Sequence, residues 1–311
     1  MFRFVFFVFS LMIVSSPSKS LELKEIVVPF GPGGPTGTFA RIVQQYLKED
    51  QNINSVVMHK PGADGIIGAR YVADSPADGN KFLIVTTGFM FNFVLYNNLG
   101  YTYSDFEMIL PMTKFPGALI VSNNSNINSM TEFISAAKSR PINCGVSNSA
   151  TLFITKYMIK QLGLTNVEII PFKGGGEVAV SLLNGTVDCA FDGVPFGIEA
   201  HKAGRQKIIS ISNKTKMSIL PDASLYSEYV PGFVYHFWQG VAILKNSPPA
   251  EKQALVNMMR NLTLTTQYKE RVTAMHLDPV TPTINSMKFF ESELLIFESI
   301  RTQLGISKNN F

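Results

Sequence analysis

Short apolar runs alternate with amphipathic stretches along most of the chain. Residues 25–30 carry Ile26-Val27-Val28, an unbroken run of strand length, and residues 38–49 place Phe39, Val43, Tyr46 and Leu47 on one helical face. The same alternation predicts a strand at 55–58, a helix at 66–73, a strand at 81–86 and a short helix containing Asn92. Residues 101–105 read as a polar-aromatic connection and 118–121 as a strand ending in the polar break 122–126. A second series follows, with helices at 131–139, 152–162, 177–184 and 198–203 and strands at 142–145, 167–171, 187–191 and 207–211. An irregular segment spans 220–233, and a strand at 239–244 returns to the first series. Helices at 250–261 and 285–304, with another helix and a short strand near Leu277 between them, complete the chain. Strands alternating with helices predict parallel α/β sheets, here in two similar lobes. The crossings place residues 21–121 and 239–311 in lobe 1 and residues 122–238 in lobe 2.

The loops between these elements are unusually rich in glycine. Pro29-Phe30-Gly31-Pro32-Gly33-Gly34-Pro35-Thr36-Gly37-Thr38 joins the first strand to the first helix. A glycine loop opening onto a helix start lets an oxyanion approach free backbone N–H groups. A nucleotide is a poor fit. The Lys-Ser/Thr pair of a phosphate loop is absent, and Thr36 stands where G-x-G-x-x-G needs its third glycine. A small carboxylate fits better, with a plain βα turn as the alternative. A second such loop, residues 59–65, runs into the helix at 66–73, and a third, Phe172-Lys173-Gly174-Gly175-Gly176, precedes the helix at 177–184. Loops at the carboxyl ends of parallel strands are where α/β folds hold ligands.

Bulk composition adds boundaries. The length of 311 residues suits two domains, and a formal charge of +4 is too weak to indicate nucleic acid or a membrane surface. Residues 1–20 have the layout of a secretory signal peptide: Arg3, an apolar core at 4–14, then small residues with cleavage near Ser20. Without Arg3 and Lys19 the formal charge falls from +4 to +2. Cys144 and Cys189, the only cysteines, lie in apolar runs and read as buried free thiols, although an oxidising compartment permits a disulfide.

Catalytic signatures are weak. The four histidines show no i, i+4 pairing, so no metal site is expected. Gly145-Val146-Ser147-Asn148-Ser149 lacks the closing glycine of a nucleophile elbow. Asp188, Asp192 and Glu199 cluster, but Asp188 begins a strand and Glu199 sits on an exposed helix face, which does not suit a paired-carboxylate mechanism. Tyr235, Phe237 and Trp238 read as core or hinge packing in preference to ligand stacking.

An ordered set of motifs carries a family resemblance. It comprises residues 26–36 with Ala40-Arg41, Lys60-Pro61-Gly62-Ala63 with Gly65-x-x-Gly68, Ile170-Pro171-Phe172-Lys173-Gly174-Gly175, residues 182–188, and Leu220-Pro221-Asp222. In order and spacing the chain resembles the Bug receptors, the periplasmic solute-binding proteins of tripartite tricarboxylate transporters. The resemblance implies a monomeric, non-enzymatic, type II-like Venus-flytrap protein with a hinge and no cofactor. Its implied partners are a small carboxylate and the membrane subunits of the transporter. A sensing receptor of the same fold and an exported hydrolase using Ser147 or Ser149 are the other readings. Carried over residue by residue, the ligand contacts implied are Phe30, Gly34, Pro35, Thr36 and Thr38 in the first loop and Gly62, Ala63 and Gly65 in the second. Thr87 and Asn92 border the floor, and Ser147, Ser149, Thr151, Lys173, Gly174 and Asp192 face the ligand's far end. The sequence departs from the family at Gly37, where an aspartate is usual, leaving Thr36 or Thr38 to cap the first helix. It departs again where Leu152 replaces a histidine after a shortened turn.

Overall fold

The computed structural model describes residues 23–310 apart from Gly33. The proposed signal peptide lies outside the described residues. Among them no helix is long and apolar enough to cross a membrane.

The first half-sheet contains strands β1 (Lys24–Val28), β2 (Ser55–His59) and β3 (Lys81–Thr86), with β1 pairing in parallel to both others. Ile26, Val27 and Val28 are fully buried, as expected of a parallel strand covered on both faces. Helices α1 (Pro35–Glu49), α2 (Ile66–Ala73) and α3 (Thr87–Leu95) follow the three strands in turn. Strand β4 (Phe106–Ser122) is 17 residues long. Sequence reading recovered only its end, because Pro111, Pro116 and Gly117 look like interruptions. Helix α4 (Met130–Ser139) leads into the second half-sheet. Its strands are β5 (Ile142–Val146), β6 (Val167–Pro171), β7 (Cys189–Gly193) and β8 (Gln206–Ile211). Helices α5 (Ser149–Gln161), α6 (Gly175–Asn184) and α7 (Val194–Lys202) alternate with them. The last of these starts before the expected position because Pro195 seeds its first turn. Strand β9 (His236–Leu244) then returns to the first half-sheet, and helices α8 (Pro249–Leu264), α9 (Thr266–Ala274) and α10 (Ser286–Leu304) close the chain.

The strand orders of the two halves match. The first runs β2-β1-β3-β9-β4, and the second runs β6-β5-β7-β4-β8. Strand β4 belongs to both. Residues 106–116 pair with β9, and residues 117–122 pair with β7 and β8. This partner exchange puts the carboxyl ends of β1, β2 and β3 opposite those of β5, β6 and β7. The loops described next leave from those ends.

Cys144 and Cys189 face each other in register on β5 and β7 as buried free thiols. Burial, reinforced by the neighbouring sulfur, pushes the Cys189 thiol well above its usual range.

Candidate functional site

A cleft of about 1010 Å³ separates the two half-sheets. Its size is at the upper end of the usual range for small-ligand sites. The first wall is the β1–α1 loop. Gly34 is the N-cap of α1, and among the described residues no side chain caps the helix. Thr38, one of the two residues expected to cap, turns its hydroxyl back to donate to the Gly34 carbonyl (3.3 Å). Thr36 lines the cleft without capping. Beside the loop, the His59 ring occupies the space next to Gly37, where an added Cβ would lie 3.0 Å from Cε1. Its Nδ1 is 2.9 Å from the Phe30 carbonyl. The glycine that departs from the family pattern therefore makes room for a histidine that ties the first loop to the end of β2.

The second wall is residues 62–65. All four have positive φ, at 128°, 48°, 52° and 85° for Gly62, Ala63, Asp64 and Gly65. Left-handed backbone at the two non-glycine residues costs energy, which the surrounding contacts must offset. Asn92 supplies one such contact, donating its Nδ2 to the Asp64 carbonyl (3.2 Å). A second comes from across the cleft, where the Ser149 N–H at the start of α5 donates to Asp64 Oδ2 (2.8 Å). Burial pushes the Asp64 carboxyl up, partly offset by these bonds from Ser149.

The far wall comes from the second half-sheet. Asn148 caps α5 with Oδ1 accepting from the Thr151 N–H (2.9 Å). Thr151 Oγ1 accepts from the Ser147 and Asn148 N–H groups (3.0 and 3.1 Å). Ser147 Oγ donates to Asp192 Oδ2 (3.3 Å), and the Gly193 N–H donates to Oδ1 (2.7 Å). Burial nevertheless dominates, raising the Asp192 carboxyl to about 6. Helix α6 opens at Gly174 without a side-chain cap, like α1. Ser149 Oγ is 3.3 Å from the Tyr96 hydroxyl. No histidine lines the cleft among the described residues.

Thirteen of the sixteen expected contacts line the cleft: Phe30, Gly34, Pro35, Thr36, Gly62, Ala63, Gly65, Thr87, Ser147, Ser149, Lys173, Gly174 and Asp192. Thr38, Asn92 and Thr151 do not. Thr38 lies on the outer side of α1, while Asn92 and Thr151 are buried behind the loops they hold. Sequence reasoning missed Asp64, Phe115, Asn148, Phe196, Phe237, Trp238 and Gln239 as cleft residues. Asp64 was legible as a lone acid inside a glycine loop. Phe115, Phe237, Trp238 and Gln239 arrive by long-range strand pairing, whereas Asn148 caps α5 between the expected Ser147 and Ser149 and Phe196 lies in α7.

The family described as "Tripartite tricarboxylate transporter family receptor" (TctC) matches residues 39–305. The chain belongs to this receptor family. Protein BugT of Bordetella pertussis (strain Tohama I / ATCC BAA-589 / NCTC 13251) is 26% identical to this receptor over 279 residues, covering 87% of this chain and 84% of BugT. The solved structure of R. palustris Rpa4515 with adipate superposes at a TM-score of 0.85 with 25% identity, covering 92% of this chain and 98% of that one. The periplasmic binding protein BugD superposes at 0.83, again with 25% identity and coverages of 92% and 98%. The receptor thus has the mixed α/β periplasmic binding protein fold and serves as a solute receptor of a tripartite transporter.

Trp238, the receptor's only tryptophan, lines the cleft and packs edge-on against Phe289 and Phe290. Its Nε1–H donates to Glu293 Oε2 (2.7 Å). Burial raises the Glu293 carboxyl to about 7. Because the folded state holds this proton more tightly, the group's stabilising contribution is full below about pH 4.5 and is lost as the pH rises through about 7. Tryptophan emission should therefore shift with a midpoint near pH 7. Glu293→Gln should flatten that transition. A wild-type midpoint near that of a free glutamate would refute the assignment.

Proposed function

We propose that this receptor captures a small carboxylate between its half-sheets in the periplasm, as a monomer, and delivers it to the transporter's membrane subunits. The single observation that carries the reading is the pair of uncapped helix starts, α1 at Gly34 and α6 at Gly174, on opposite walls of one cleft. Each offers backbone N–H groups and the positive end of a helix dipole, so each favours an anion. The adipate held by the R. palustris relative is an anion of that kind. The half-sheets act as two lobes, hinged where β4 changes partners between Pro116 and Gly117. Closure around the ligand spends binding energy on stabilising the closed state, with no chemistry. Ser147 and Ser149 serve as polar lining, their hydroxyls engaged with Asp192 and Tyr96.

Thermal-shift screening of the mature chain against small carboxylates and neutral sugars tests this directly. A carboxylate at about 100 times its Kd should stabilise the protein by about 2.7 kcal/mol, enough to raise Tm by several degrees. A shift with a neutral sugar and with no carboxylate would overturn the reading.

A further inference from the structure

The floor of the cleft is built for a hydrogen-bond donor. Asp64 uses Oδ2 to accept from the Ser149 N–H, but its Oδ1 is buried and meets no donor among the described residues. Gln239, only 3% exposed, also lines the cleft, and its buried Oε1 has no partner among the described residues. These two acceptors lie in one neighbourhood. Gln239 stands opposite Thr86 in the antiparallel pairing of β9 with β3. Two residues on, Gly88 leaves a hollow. A Cβ placed there would lie 3.4 Å from Thr86 Oγ1 and 3.8 Å from Asp64 Oδ1. The Asp64 carboxylate and the Thr86 hydroxyl therefore border the space beside Gly88 at the start of α3, and the Gln239 side chain lies next to that of Thr86 on the same face of the sheet.

A ligand that was only a carboxylate would bring acceptors to this floor. It would leave the buried Asp64 oxygen unpaired, at a cost greater than that of an unpaired neutral group. The fractional positive charge at the α3 terminus is about half a unit, so it does not balance a full carboxylate charge. A ligand with a cationic donor beside its carboxylate would satisfy the hollow and the α1 terminus together. We propose that the ligand is an amino-substituted carboxylate, with its ammonium group held by Asp64 Oδ1 and Gln239 Oε1 while its carboxylate meets the first glycine loop. This rests on the carboxylate-receptor reading above and narrows its ligand class. Asp64 then has two tasks, one oxygen joining the walls and the other selecting the ligand.

The test is a titration of Trp238 emission and of Tm with matched trios that differ at one substituent: aspartate, malate and succinate; glutamate, 2-hydroxyglutarate and glutarate; 2-aminoadipate, 2-hydroxyadipate and adipate; alanine, lactate and propionate. In at least one trio the amino member should bind about tenfold or more tighter than both others, as a charge-assisted bond to a buried carboxylate implies. Asp64→Asn keeps the side-chain size and tolerates the positive φ, so it should fold. In that variant the amino preference should collapse to about threefold or less. Gln239→Leu, which removes the second acceptor without touching the second loop, should reduce the preference as well. Equal binding of amino and hydroxy members, tighter binding of the unsubstituted acids, or an unchanged preference in folded Asp64→Asn would overturn this inference while leaving the receptor reading in place. Failure of all twelve compounds to bind would overturn this inference, and a neutral sugar binding where no carboxylate does would overturn the receptor reading as well.

Discussion

Gly34→Val should weaken carboxylate binding by roughly 100-fold, or about 3 kcal/mol, while leaving the fold in place. An added Cβ at Gly34, which lines the cleft, meets nothing within 4 Å among the described residues. The backbone there, at φ −86° and ψ 169°, is extended and suits a β-branched residue. Replacing a glycine N-cap by valine costs up to about 1 kcal/mol, and the smaller unfolded-state entropy of valine returns a similar amount. The Tm of the empty protein should therefore move by no more than about 2 °C. Calorimetric titration of the tightest carboxylate against wild type and variant decides the matter. Equal affinities would show that the first loop does not anchor the ligand.

Gly68→Val should do the opposite, damaging the fold first. Gly68 lies in α2, where an added Cβ would sit 2.8 Å from Pro29 Cα and 3.0 Å from the Lys60 carbonyl oxygen. Both are backbone atoms, and neither can move like the tip of a flexible side chain. Overpacking of this sort costs about 1–3 kcal/mol, and two further methyl groups place this case near the top of the range. The small gain in helix propensity from replacing glycine does not offset it. Tm should fall by about 6 °C or more. Pro29 begins the first glycine loop and Lys60 leads into the second, so the displacement reaches both walls and affinity should fall with stability. A variant that melts at the wild-type temperature would show that α2 does not pack this closely on β1.

The contrast between these two glycines marks how far the sequence could be read. Strand–glycine–helix order located both loops of the first half, because the needed chemistry is local: small residues, a strand before and a helix after. It did not show which glycine faces the ligand and which faces a neighbouring strand, since that depends on how α2 lies against β1. The same limit explains Thr38, Asn92 and Thr151. Each lies in or beside a motif that lines the cleft, but side-chain direction within a helix turned each away from it. Trp238 and Gln239 stayed hidden for a different reason. They reach the cleft only because β9 inserts beside β3, a pairing between residues more than 150 positions apart. Phe115 was obscured by the prolines flanking its part of β4, which mimic a strand end although the strand continues. The thiols were easier, because two cysteines in apolar runs are already described by burial.

Strand β9 also fixes the order in which the molecule can be completed. It fills the slot between β3 and β4, although it follows them by more than a hundred residues. Until residue 244 has been made, the first half-sheet exists as two unjoined edges, one from β3 and one from β4. Closing the chain between Ser122 and His236 as a flexible loop would cost about 4 kcal/mol of entropy. The second half-sheet is built almost entirely from that same stretch, so its folding compacts the loop and brings those ends together. The half encoded in the middle of the chain is therefore the splint on which the terminal half is closed, and truncation before His236 removes the strand that joins the two edges.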